Sequence, residues 1–149
     1  MASVAYNSYK LNMLEGVFNI ETVSGVKMIL LDDLATTPDN PDHDFVNDIA
    51  ASEFADTGYT GGFAGAGRKT LASRAATVNL TDNRSEFDFD NITWTTLGGT
   101  ATAVFAVMVR EITNDAASNL ISAHDIADTV TNGTDFTLTI GTTGAFHVT

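Results

Sequence analysis

The stretch from Glu86 to Ile112, EFDFDNITWTTLGGTATAVFAVMVREI, constrains the fold more than any other part of the chain. Its first half alternates acidic or polar residues with aromatic and β-branched ones. Side chains of a strand point to opposite faces in turn, so this alternation predicts a half-buried strand over Phe87–Trp94. Gly98-Gly99 breaks the pattern, and an apolar run follows through Val109. That run predicts a more deeply buried strand over Ala101–Ile112. Neither half carries a nucleophile–base pair or a metal-ligand spacing. The strongest signal is architectural.

The rest of the chain supports the same class. Tyr9, Met13 and Leu14 recur at helical spacing before Gly16, which predicts a short helix over Tyr6–Glu15. Val17–Ile20 and the compact run Val26–Leu31 read as strands. Pro38 and Pro41 mark Asp32–Asp44 as a loop, and Asp44 is a candidate N-cap for a second short helix over Phe45–Phe54. Thr57–Gly67, with five glycines, reads as irregular. Further strands are expected at Thr70–Arg74, Thr77–Leu80, Asn119–Ala123, Phe136–Ile140 and Ala145–Val148. Short strands at this spacing, with no long helices between them, predict an all-β fold, an antiparallel β-sandwich or jelly roll with two short helices. At 149 residues one domain is expected: residues 1–16 as an N-terminal arm and 17–149 as the sandwich.

Composition narrows the function classes. Apolar residues make up 44% of the chain, as in a folded domain, yet 19 acids face 7 bases for a net charge of −12. Such an excess repels phosphate backbones and anionic lipid, so neither nucleic acid nor a membrane is expected as partner. There is no cysteine, hence no thiolate metal site. The N-terminus lacks an apolar core of signal-peptide length, so synthesis in the cytoplasm is expected. Charge is also unevenly placed. Eight acids and no base lie between Lys27 and Arg68, and Arg68, Lys69, Arg74 and Arg84 then follow closely. The simpler reading is a solvated acidic loop followed by a polar strand; the sharper one is an acidic and a basic patch that meet across a subunit boundary.

The chemical constellations are weak. Gly62-Phe-Ala-Gly-Ala-Gly67-Arg-Lys-Thr70 misses the phosphate-loop pattern by one residue, because Arg68 separates Gly67 from Lys69. A flexible glycine loop is the simpler reading. His43-Asp44 and His124-Asp125 could supply a base and its orienting acid, but neither has a nucleophile motif nearby. Asp39, Asp42, Asp44 and Asp48 could line a Ca²⁺ site, yet the EF-hand pattern is missing, so a solvated acidic loop is expected. Glu86, Asp88 and Asp90 share one strand face, read as the wet face of a half-buried strand. Trp94, the only tryptophan, reads as core. No catalytic residue, metal or cofactor is expected, and the chain is not expected to be an enzyme.

In order and spacing, several motifs resemble a family of small tailed-phage virion proteins. They are Ala5-Tyr-Asn-Ser-Tyr-Lys10 with Leu14-Glu-Gly16, Val26–Leu31, His43-Asp-Phe45 with Ile49-Ala50 and Glu53, and Gly58-Tyr-Thr-Gly-Gly62. Phe87-Asp-Phe-Asp-Asn-Ile-Thr-Trp94, Ala103–Met108, Leu120-Ile121 and Asn132–Leu138 complete the series. The resemblance implies a capsid decoration or cement protein, a homotrimer bound to the major capsid protein where capsomers meet, on the virion surface. Interfaces are then expected at Tyr6, Tyr9 and Lys10 and at Arg68, Lys69, Arg74 and Arg84. A tail or neck subunit is the alternative within that class. A carbohydrate-binding sandwich that stacks sugars on Trp94 or Tyr59 is the alternative outside it.

Overall fold

The computed structural model describes residues 3–32, 43–141 and 144–148. Along the chain lie β1 (Ser3–Ala5), α1 (Asn7–Glu15), β2 (Val26–Leu31), β3 (Lys69–Thr70), β4 (Ala75–Asn79) and β5 (Arg84–Asp88). They are followed by β6 (Ile92–Leu97), β7 (Thr102–Arg110), β8 (Asn119–Val130), β9 (Thr134–Leu138) and β10 (Phe146–Val148). Every strand pairing is antiparallel, in three sheets: β1-β8-β7-β2-β3, β10-β5-β4 and β6-β9. The domain is all-β, as the strand spacing predicts.

The five-stranded sheet is apolar on both faces, which is why β2 and β7 read as unbroken apolar runs. Met28, Leu30, Ala106 and Met108 join a core cluster with Trp94, Leu97, Phe87, Phe146 and Tyr9, from all three sheets and α1. Ile29, Leu31, Phe105, Val107 and Val109 face the other way, into a second cluster with Tyr6, Val46 and Ile49.

Several expectations are corrected. The segment Phe87–Trp94 is two strands in different sheets, β5 and β6, parted at Phe89–Asn91. Asn91 Oδ1 accepts the Ile140 N–H at 2.8 Å, and Asp90 N–H donates to the Ala72 carbonyl, so polar groups at the corner fasten the change of sheet. Val17–Ile20 is not a strand. The second helix is two 3₁₀ turns, Val46–Asp48 and Ala50–Ser52. The Asp48 carboxylate, rather than Asp44, accepts the N–H groups of Asp44 and Phe45 there, at 3.0 and 2.9 Å. Within the expected arm 1–16, the described residues 3–16 pack into the domain: β1 pairs with β8, and Tyr6 and Tyr9 are both buried. Burial pushes the Tyr9 hydroxyl pKa up to about 12. Helix α1 itself falls where periodicity places it, closed by Gly16 in the left-handed conformation (φ 64°), where a side chain is disfavoured.

Candidate functional site

The densest polar cluster is centred on Arg68, only 3% exposed. Its Nε and Nη2 donate to the two oxygens of Glu53 at 2.8 and 2.6 Å, a bidentate pair. Nη1 reaches Glu111 at 2.9 Å and Asp115 at 2.6 Å, and Nη2 also reaches Asp115 at 3.1 Å. Lys27 closes the group with an ion pair to Glu111 at 2.5 Å. Lys27 lies in β2, Glu53 follows the 3₁₀ turn Ala50–Ser52, Arg68 follows the glycine loop, Glu111 follows β7, and Asp115 opens a further 3₁₀ turn, Asp115–Ala117. The cluster therefore ties together segments remote in sequence.

The glycine loop is an anion cradle, and its anion is Glu53. Gly62 N–H donates to Glu53 Oε2 at 2.9 Å, the Tyr59 hydroxyl donates to Oε1 at 3.1 Å, and Ala64 N–H donates to Glu111 at 3.1 Å. Close approach explains the glycines at two positions. A Cβ at Gly67 would lie 2.6 Å from the Tyr59 ring, and one at Gly65 would run into the carbonyls of Thr60 and Gly61. Trp94 Nε1–H donates to the Gly67 carbonyl at 2.6 Å, which fastens the loop to the main core.

The electrostatics follow from this packing. Burial alone would lower the Arg68 pKa, but hydrogen bonds to Glu53 and Asp115 outweigh it and raise it above its ordinary value. Burial alone would raise the Glu111 pKa, and the bonds from Lys27 and Arg68 outweigh that and hold it low. The Tyr59 hydroxyl is raised by burial and by the Glu53 charge, so it stays a neutral donor. Three carboxylates thus surround one guanidinium in charge-assisted bonds. The cation they hold is the protein's own.

A second buried pair lies in β8. Ser122 Oγ and His124 Nε2 are 2.9 Å apart, and both residues are buried. Burial lowers the His124 pKa to about 4, so the ring is neutral at pH 7. The Ala145 backbone acts in the opposite direction, and burial outweighs it. Asp125, expected beside His124 as an orienting acid, is exposed on the opposite face of the strand.

The structure thus redistributes the expected interface residues. Tyr6 and Tyr9 belong to the two core clusters and Arg68 to the buried network, which removes all three from any docking surface. Lys10 is exposed, with Nζ 3.3 Å from Asn7 Oδ1. Lys69 and Arg74 are half-buried, and among the described residues neither forms an ion pair; Arg74 donates to the Ile20 carbonyl at 2.8 Å. Arg84 pairs with Asp82 and Glu86. Trp94 is fully buried, as expected of a core residue, and Tyr59 is buried too, so neither ring offers a face to a sugar. Of the proposed Ca²⁺ ligands, Asp39 and Asp42 lie outside the described residues. Among the described residues no three acids or histidines converge on a metal position.

Sequence reasoning did not single out Glu111, Asp115 or Asp56, and it placed Glu53 only within a motif of the resemblance, with no partner. Asp56 accepts the N–H groups of Thr57 at 2.7 Å and of Thr100 and Ala101 at 3.0 Å, and these bonds, that to Ala101 foremost, hold its carboxyl pKa low. The available signal was the glycine loop itself, whose near-match to a phosphate loop pointed to an anion. No protein-family model, no curated protein and no solved structure matches this chain.

Proposed function

We propose that this chain is a structural protein of a phage virion, decorating the shell and stabilising it by binding the major capsid protein. Some of the motifs behind the resemblance to small virion proteins lie in the core: Val26–Leu31 is β2, and Phe87, Phe89, Ile92 and Trp94 pack in the main cluster. On this reading the chain would share its scaffold with that family. Its most distinctive polar residues, Arg68 and its carboxylates, are engaged in holding that scaffold together.

The observation that carries the reading is the apolar surface left uncovered. Leu11, Leu14 and Val17 stand in solvent along α1 and just past its C-terminus, and Val78 and Leu80 stand out at the end of β4, with Leu80 at 88% exposure. Large apolar side chains left exposed on a small acidic domain suit a protein that attaches to a larger assembly. A protein that binds only the assembled shell stabilises it by mass action, and many copies together stabilise it more.

The test is rebinding to particles that lack the protein. Titration of the purified chain should saturate at hundreds of copies per particle, and coated particles should resist heat or chelators better than bare ones. The double charge reversal Lys10→Glu/Lys69→Glu is expected to lower occupancy, with both side chains outside the buried network. Saturation at a small multiple of six or twelve would assign the protein to the neck or tail instead. Absence of binding to any virion component would overturn the reading.

A further inference from the structure

We infer that β4 is a self-pairing edge, through which two copies of this chain join their three-stranded sheets about a two-fold axis at Val78. β4 is the terminal strand of the sheet β10-β5-β4, and among the described residues no strand pairs on its far side. From Ala75 to Thr81 no residue is charged and none is proline. Folded proteins usually blunt such an edge with charge, proline or a bulge. In a chain of net −12, this is also a stretch along which two copies can meet without setting acid against acid.

The register fixes which groups point outward. Ala76 is opposite Phe87, and the Phe87 carbonyl accepts Ala145 N–H on the far side of β5. The Ala76–Phe87 pair is therefore the non-hydrogen-bonded kind, and the backbone groups of Ala76 and Val78 face the free edge. The Ala76 N–H confirms this direction, because it donates to the Glu21 side chain at 2.9 Å. An antiparallel partner centred on Val78 sets Val78 against its own copy and Ala76 against the copy's Leu80.

Each juxtaposition is complementary. Ala76 shares a face with buried Phe87, so Ala76, Val78 and Leu80 continue the inner, apolar face of the sheet beyond its cover. Val78 is 69% exposed as a result. An apolar pocket of about 140 Å³, lined by Ala76 with Tyr9, Met13, Ile20, Phe87 and Phe146, opens beside the place where the copy's Leu80 arrives. The two-fold makes the contact of Ala76 with the copy's Leu80 twice, on either side of the Val78 pair. This pairing goes beyond the virion role and does not depend on it; it would cover Val78 and Leu80 and leave Leu11, Leu14 and Val17 as the apolar surface open to a shell. It also sets a two-fold contact in place of the trimer that the resemblance implies.

Sedimentation velocity of the full chain across a concentration range tests it. A concentration-dependent dimer is expected. Val78→Lys sets two positive charges opposite each other at the axis and should weaken dimerisation by about tenfold or more, since like charges directly opposed across strands are destabilising. Circular dichroism should be unchanged, because that side chain is exposed. Glu21→Ala, which releases the Ala76 N–H, should tighten it. A monomer at all concentrations, or a dimer or trimer indifferent to Val78→Lys, would overturn the inference. So would a chain that stays monomeric in solution but loses particle binding on Val78→Lys, since the edge would then belong to the capsid protein.

Discussion

Arg68 shows how one residue can change its meaning once its neighbours are known. In the sequence it opens a basic run and reads as surface charge; in the fold it lies beneath a glycine loop with its donors directed to Glu53, Glu111 and Asp115. A buried ion pair adds little when compared with apolar packing, but removing one partner strands the other charge away from water. Arg68→Ala should therefore cost about 3–5 kcal/mol, read as a lowered urea midpoint at unchanged slope. Arg68→Lys should recover only part of this, because an ammonium cannot reproduce the two parallel bonds to Glu53. A variant as stable as the parent would show that the network is dispensable.

At the scale of elements, local pattern succeeds where a strand is buried on both faces and fails at corners. β2 spans the run Val26–Leu31, and β7 lies within the apolar run after Gly98-Gly99. The alternating stretch before it conceals a change of sheet, because alternation continues through Phe89 and Ile92 although the backbone leaves one ladder for another. The second helix failed for a related reason. Its apolar stripe is real, with Val46 and Ile49 buried, but Asp48 turns back to cap Phe45 and the chain forms two 3₁₀ turns.

The turn at Gly98-Gly99 likewise depends on a distant side chain. The Asp56 carboxylate lies against Gly99 and gathers three backbone N–H groups, two of them from across the turn. Asp56→Ala should leave the sheets intact and speed amide exchange at Thr100 and Ala101 specifically, measurable residue by residue by NMR. Uniform acceleration over the whole domain would contradict a local clamp.

For the whole molecule, acid stability follows from which titratable groups are buried. His124 is neutral in the folded state, with its pKa lowered from 6.5 to about 4. Between those values the unfolded chain binds a proton that the folded one does not. Stability is therefore lost as pH falls from about 6.5 to 4, by an amount on the order of 3 kcal/mol. His124→Gln should flatten thermal stability across that window while keeping a partner for Ser122. The carboxylates held low, Glu111, Asp56 and Glu86, add a second loss at lower pH, as each is protonated below its unfolded value. A wild-type profile flat from pH 6.5 to 4 would contradict the buried neutral ring.

The sequence by itself determined the class of fold, the buried strands, the short helix ending at Gly16 and the core position of Trp94. Each of these rests on side chains within a few residues of one another, where periodicity and turn chemistry act. The tertiary structure decided that the glycine loop wraps Glu53, that Arg68 is internal, that His124 is buried apart from Asp125, and that β4 is left as an uncharged edge. Those outcomes depend on pairs such as Glu53 with Arg68, Arg68 with Asp115, and Asp56 with Ala101. Partners so far apart in the chain are brought together by sheet pairing, and no local pattern records which charge will meet which.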